Sequence, residues 1–247
     1  MLLALDIGNT NTKSALFFSD QLMDFTVHSN TNEATEYISK TSFTQAIICS
    51  VNPVKQKIIS DKITAKDVSI YQATINQKFN LTIEYETPST LGMDRVCSIV
   101  GALELATSQK IISENQFLIT IDFGTATTIN IVSPGRKFIG GLIAPGVSTM
   151  LYSLNEKTAQ LPLPDMNSYQ GLIGNSTKSS IIGGVITATI GMIKETVNHL
   201  KNEGNILPLV FATGGNATYI LPYFKHKLIF DEALVLRGLK IIYDLNN

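Results

Sequence analysis

The feature that most constrains this chain is an internal repeat. "LLALDIGNTNTKSALFFS" at the start and "FLITIDFGTATTINIVSP" near the middle share one pattern: an apolar run, an acid, a glycine two residues on, small polar residues, then a second apolar run. Asp6 aligns with Asp122, Gly8 with Gly124, Thr10 with Ala126 and Thr12 with Thr128, almost half a chain apart. A repeat of that length sets the architecture before any residue has a role. It predicts an α/β protein of two similar halves, 1–115 and 116–247, each opening with an antiparallel meander.

The remaining patterns fit that frame. "LLALDIG", "KSALFFS" and "LMDFTVHS" read as the first three strands, and "NEATEYISKTS" as a short helix. "AIICSV" is a buried strand, and Pro53 suits the first turn of a helix running to Lys62. After Gly92 the period becomes helical, with Val96, Ile99, Val100 and Leu103 on one face. The second half continues with a strand at "KFIGGLIAPG", a helix from about Val147 and a loop through "LPLPD". A long helix runs from about Thr177 to Lys201. A strand at "PLVFATGG", a short helix near Tyr219, a strand at "KLIF" and a last helix in "EALVLRGLKIIYDL" complete the chain.

Composition narrows the function. Of 247 residues, 44% are hydrophobic and 16% charged, so a core can form without disulfides or metals. A net charge of −1 provides no basic field for nucleic acid. Cys49 and Cys97 lie in apolar runs and read as buried thiols of a reducing compartment. The histidines His28, His199 and His226 fall outside every motif and read as surface or incidental. No export signal and no uninterrupted membrane-length apolar run is visible, which points to a cytoplasmic, soluble protein with no membrane partner.

The turn "DIGNTNTK" has a plain reading as a hairpin, since Asn, Gly, Asp and Thr are ordinary turn residues. Its second reading is a phosphate cradle spanning Asp6, Ile7, Gly8, Asn9, Thr10, Asn11, Thr12 and Lys13. Glycine admits close approach, successive amides form an anion nest, the threonines add hydroxyl donors and Lys13 adds a cation. Asp6 can hold a hydrated Mg²⁺. Acid, amides and lysine together are the apparatus of phosphoryl transfer, although the spacing is not that of a P-loop. The repeat favours this reading, because two such turns facing a cleft could hold a nucleotide.

Other motifs carry less alone. Gly214 and Gly215 in "FATGGNA" form either an ordinary strand-to-helix turn or flat access to an adenosine. "GGLIAPG" either shapes a loop against a ligand or allows close backbone packing. In "YETPSTLGMDR", Asp94 suits helix capping, but Arg95 in a first turn is electrostatically misplaced unless it faces an anion. An acid beside it could accept a proton from a substrate hydroxyl. Gly183, Gly184 and Gly191 inside the long helix each cost about 1 kcal/mol against alanine, a cost that close helix packing, within the chain or across a dimer, can offset.

Taken in order, "DIGNTNTK", "YETPSTLGMDR", "IDFGTATTI", "GGLIAPG", "GNST" and "ATGGNA" resemble the type III pantothenate kinases, of the acetate and sugar kinase/Hsc70/actin superfamily. The resemblance implies two ribonuclease-H-like halves with a nucleotide cleft. It implies transfer of the ATP γ-phosphoryl to the 4′-hydroxyl of pantothenate, the first step of coenzyme A synthesis. Residues 6–13 would hold Mg²⁺–ATP, and Thr125 would touch ATP. Gly92, Met93, Asp94 and Arg95 would form the pantothenate motif, with Asp94 the proton acceptor, Arg95 positioning the substrate and Tyr85 contacting it. Asp122 would bind a monovalent cation, K⁺ or NH₄⁺, and Thr177 would reach pantothenate across a homodimer. Met93 departs from the family's usual alanine. Two rivals remain: another small-molecule kinase of the superfamily, against which "LGMDR" and Tyr85 argue, and a non-enzymatic regulatory accessory factor, which would not need Asp94.

Overall fold

A computed structural model of the chain describes residues 1–166 and 171–247. The chain forms two compact units. Unit 1 comprises 1–111, 136–138 and 233–247, and unit 2 comprises 112–135 and 139–232. The last helix thus belongs to unit 1 rather than to the 116–247 half.

In unit 1, β1 (Leu2–Ile7), β2 (Thr12–Phe18) and β3 (Gln21–His28) make the expected meander. β4 (Gln45–Ser50) lies parallel to β1, and β5 (Ile70–Gln72), which no periodicity announced, lies parallel to β4. The sheet order is β3-β2-β1-β4-β5. α1 (Thr31–Lys40) and α2 (Pro53–Thr64) cover a core of Leu3, Leu5, Ile7, Ile38, Ile48, Ile59 and Ile63. α3 (Met93–Ser108) and α7 (Leu234–Asn246) pack on each other. Their approach is close enough that a side chain at Gly238 would collide with the Cys97 carbonyl. α3 is buried nearly all round, as a core helix is.

Unit 2 repeats the opening. β7 (Leu118–Phe123) pairs antiparallel with β8 (Ala126–Ser133), followed by β9 (Lys137–Pro145). The first residues of β9, Lys137 and Phe138, lie in unit 1, where they pair with the short β6 (Thr82–Ile83). β10 (Leu209–Thr213) lies parallel to β7, and β11 (Ile229–Phe230) parallel to β10. α4 (Val147–Lys157), α5 (Thr177–Gly204) and α6 (Ala217–Ile220) complete the unit. α5 is the one helix among the described residues long and apolar enough to cross a membrane. Its Ile182, Val185, Ile186, Ile193 and Val197 sit instead in the core of unit 2, against Ile119, Ile121 and Val210.

Register corrects the alignment of the repeat. Ile7 pairs with Thr12 and Asp6 with Lys13, whereas Phe123 pairs with Thr127 and Asp122 with Thr128. The first turn therefore carries one more residue. Thr12 corresponds to Thr127, not Thr128, and Lys13 takes the place that Thr128 holds in the second hairpin.

Candidate active site

Unit 1 gathers the residues of two motifs. Asp6, the last residue but one of β1, is half-buried, and Ile7, which ends the strand, is fully buried. The turn closes when the Gly8 N–H donates to the Asn11 carbonyl at 3.0 Å, leaving Asn9, Thr10 and Asn11 exposed. Thr12 differs from Thr10: its hydroxyl is buried, with no hydrogen-bond partner among the described residues. Cys49, beside Asp6 on β4, points its thiol at Asp6 Oδ1 at 3.4 Å. Its hydrogen bond with Cys97, its burial and the Asp6 charge push the Cys49 thiol well above its ordinary value, so it remains an S–H donor. Asp94 acts on the same thiol, so both carboxylates bear on one spot. Both cysteines are free and buried, as their apolar runs predict.

The pantothenate-type motif folds in three steps. A 3-10 turn at Pro88–Thr90 leads into buried Leu91. Gly92 then caps α3 with no side-chain hydrogen bond of its own. The Asp94 carboxylate folds back to accept the Arg95 N–H at 2.9 Å. It lies so close to Gly92 that any Cβ there would strike it. The capping reading of Asp94 is thus real for one oxygen, and it also fixes the carboxylate. Met93 is half-buried next to it.

Arg95 is only 7% exposed. Its guanidinium lies over the rings of Tyr85, at 5.8 Å, and Phe138, at 5.5 Å, which stack on each other at 5.6 Å. A cation over aromatic faces is stabilised by the ring quadrupoles. The β6–β9 pairing brings Tyr85 and Phe138 together, for Glu84 N–H donates to the Phe138 carbonyl at 2.9 Å. Phe138 carried no signal in the sequence, because its partner strand is only two residues long.

Unit 2 holds the second turn. Asn216 Nδ2 donates to the Gly124 carbonyl at 2.9 Å, and Thr149 Oγ1 to the Thr125 carbonyl at 2.6 Å. The Gly146 N–H also donates to Thr125 O, at 2.9 Å. Gly146 of "GGLIAPG" therefore serves close backbone packing, since a side chain there would meet the Thr125 carbonyl at 2.7 Å. Gly214 has φ +99° and its Cα faces the Asp122 carboxylate and the Phe123 backbone, so no other residue fits. Asp122 is half-buried, Gly215 and Thr125 are exposed, and Thr177 is the exposed first residue of α5. Sequence reading missed Asn216 and Thr149. Asn216 was legible in "GGNA" as a polar residue following the glycine pair; Thr149 was not.

The expectation for His28 is overturned. It is 3% exposed and shares a 2.8 Å hydrogen bond with Ser14 Oγ. Its ring meets Tyr37 at 5.1 Å. The alternation of β3 is irregular, which hid its inward side.

Among the described residues, no group of three or more His, Cys, Asp or Glu could hold a metal ion. A lone half-buried carboxylate such as Asp6 would suit a hydrated Mg²⁺, which keeps most of its waters, rather than an ion caged by protein ligands.

A profile of the type III pantothenate kinases matches residues 2–199. The chain is 30% identical over 262 residues to a type III pantothenate kinase of Geotalea daltonii, covering 100% of this chain and 99% of the relative. It is 31% identical over 263 residues to one of Syntrophus aciditrophicus, with 100% of both covered. Among solved structures, a protein of Campylobacter jejuni assigned to the Baf family of transcriptional activators superposes with TM-score 0.64 at 20% identity, covering 98% and 97% of the two chains. A glucokinase from an Antarctic psychrotroph superposes with TM-score 0.50 at 12% identity, covering 98% of each. At these identities the structures show the fold alone, the sugar-kinase and actin-like fold of two ribonuclease-H-like halves. With its motifs in order and its whole length matched, the chain belongs to the type III pantothenate kinase family.

Proposed function

We propose that this chain's own residues carry out the family's reaction, the ATP-dependent phosphorylation of pantothenate to 4′-phosphopantothenate that opens coenzyme A biosynthesis, in a defined division of roles. The amides of the 6–13 turn, the Thr10 hydroxyl and Lys13 bind the phosphates of ATP, and Asp6 holds the Mg²⁺ that travels with them. When bound, that ion neutralises charge on the phosphoryl oxygens. Thr125, Gly214 and Gly215 contact the nucleotide. Tyr85, Gly92, Met93 and Arg95 receive pantothenate, with Arg95 facing its carboxylate. Asp94 accepts the 4′-hydroxyl proton as that oxygen bonds to the γ-phosphorus and the bond to ADP breaks.

The observation that carries this reading is the pairing of a fixed acid with a clamped cation: Asp94 held by Arg95 N–H against Gly92, and Arg95 held over Tyr85 and Phe138. Phosphate turns alone serve many kinases; this pairing recognises a substrate with both an anionic end and a hydroxyl. Purified protein with ATP, Mg²⁺ and K⁺ should release ADP with pantothenate and not with sugars or acyl acids. Turnover of a sugar without pantothenate turnover overturns the assignment.

Two finer roles complete the proposal. Asp122 binds K⁺ or NH₄⁺; the residue facing it across its hairpin is neutral Thr128, where Lys13 faces Asp6. The chain acts as a homodimer through α5. Gly184, Thr187, Ala188 and Gly191 form an exposed small-residue stripe at helical spacing, and Leu172 and Ile173 just before the helix are 63% and 91% exposed. Such a surface favours a second copy, and Thr177 lies at that end of α5. A monomer by light scattering at micromolar concentration contradicts this role. The two free buried thiols fit an enzyme of the cytoplasm.

A further inference from the structure

Lys55 belongs to no motif, yet its ammonium sits behind the first turn. Nζ donates to the carbonyls of Gly8 at 3.4 Å, Asn9 at 2.7 Å and Thr10 at 3.0 Å. An ammonium has three N–H donors and no acceptor, so all of them are engaged here. Fold topology brings the groups together. β1 and β4 run parallel, with Ile7 beside Ser50, so the turn after β1 lies next to the start of α2. Asn52 caps α2 by accepting the Lys55 N–H at 3.1 Å, which fixes where the lysine stem begins.

The placement is unfavourable for the helix, because a cation in a first turn opposes the helix dipole. The first turn of α2 holds no acidic residue to offset it. What Lys55 gives instead follows from peptide geometry. In a planar trans peptide, the C=O of one residue and the N–H of the next point in opposite directions. Holding the carbonyls of Gly8, Asn9 and Thr10 on one side turns the amides of Asn9, Thr10 and Asn11 to the other. Asn9, Thr10 and Asn11 are exposed residues, open to a ligand.

We propose that Lys55 is a positioning residue for the nucleotide: it locks three successive carbonyls of the first turn away from the phosphates, aims the following three amides at them, and adds a positive charge behind the nest. The inference rests on reading residues 6–13 as the phosphate-binding turn. Lys66 provides an internal comparison. Its Nζ donates to the carbonyls of Ile38, Ser39 and Thr41 at 3.0–3.1 Å, closing the end of α1. The chemistry is the same, but that helix end is far from any phosphate motif in the sequence, so Lys66 serves stability.

The test is steady-state kinetics on Lys55→Met, which keeps the stem and loses the charge, with Lys66→Met as control. Lys55→Met should raise the KM for ATP and the Kd for ADP by about tenfold or more, the scale of one charge-assisted hydrogen bond. The KM for pantothenate should stay within about twofold, well under the effect of one such bond. Lys66→Met should lower the melting temperature and leave both KM values alone. Lys55→Gln, which retains a donor for the loop, carries the same test should the Met variant not fold. A folded neutral variant with wild-type KM for ATP overturns the proposal, as does an equal rise in both KM values. Wild-type turnover of pantothenate, measured alongside, reports separately on the underlying assignment.

Discussion

The two glycine turns share a backbone plan and differ in what stands behind it. In the first, the carbonyls of Gly8, Asn9 and Thr10 meet an ammonium, Lys55, and Lys13 faces Asp6 across the hairpin. In the second, the carbonyls of Gly124 and Thr125 meet the Asn216 amide, the Thr149 hydroxyl and the Gly146 N–H, and Thr128 faces Asp122. The donor at the carbonyls of Gly8, Asn9 and Thr10 is a cation, whereas the three named at Gly124 and Thr125 are neutral. Duplication preserved the acid and the glycine, and the supporting shell assigned each copy its charge. A cation behind the first turn suits a polyanion, and the neutral donors behind the second add no such charge.

The largest test of that asymmetry is to neutralise each acid. Asp6→Asn should reduce turnover by about 10³-fold, since a bound metal supplies several kcal/mol of charge stabilisation in the transition state. Asp122→Asn should act mainly on the KM for ATP and on the response to K⁺. Circular dichroism should show both variants folded. Equal losses of kcat from the two substitutions would break the comparison.

Asp94 tests whether unit 1 holds the proton acceptor as well as the phosphate turn. Asp94→Asn keeps an oxygen for the Arg95 N–H, so α3 should stay capped and the melting temperature hardly move. It cannot take a proton, so kcat should fall by about 10²-fold or more. Gly92→Ala should reproduce part of that loss without touching the carboxyl, because its methyl displaces the Asp94 carboxylate. A stable, fully active Asp94→Asn enzyme would leave Asp94 as a cap and nothing more.

A smaller effect separates the cation roles. Replacing K⁺ and NH₄⁺ by Na⁺ should lower activity severalfold in the wild type and should hardly change that of Asp122→Asn. Equal wild-type activity in Na⁺ and K⁺ removes the monovalent cation from Asp122.

Much of this was legible from period and punctuation. Strand–acid–glycine–strand announced both hairpins, and Pro53, Gly92 and the Thr177 region marked the starts of α2, α3 and α5. What escaped was carried by residues with no local pattern. Lys55 reads as one more surface lysine on a helix; only the parallel β1–β4 pairing turns it toward the loop. Phe138 and Tyr85 meet through a two-residue ladder too short for any alternation to show. The alignment slipped by one residue at Thr12 because composition cannot count a loop whose two copies differ in length.

The smallest prediction concerns acid stability, and it again divides the units. Among the described residues, the buried polar side chains of unit 2 are Thr120, Thr127, Asn130, Thr189, Thr196 and Thr213, none of which ionises near neutrality. Unit 1 buries His28 beneath the first hairpin, opposite Thr12. Burial lowers its pKa below 6.5, outweighing the charges of Glu33 and Asp24. The unfolded chain therefore binds a proton that folded His28 refuses. Stability from this group is complete above about pH 6.5 and is lost as pH falls below it toward the folded pKa. One proton limits the loss to about 1.4 kcal/mol per pH unit, a few degrees of melting temperature for a chain of this size. His28→Gln, which still bonds Ser14 but cannot titrate, should flatten the melting curve between about pH 7 and 5.5, the interval around an unperturbed histidine. Hydrogen exchange should place the wild-type loss in the β1–β3 meander and leave β7 and β8 protected. An acid slope unchanged in His28→Gln, or one that first opens the strands of unit 2, would mean that the titrating group lies elsewhere.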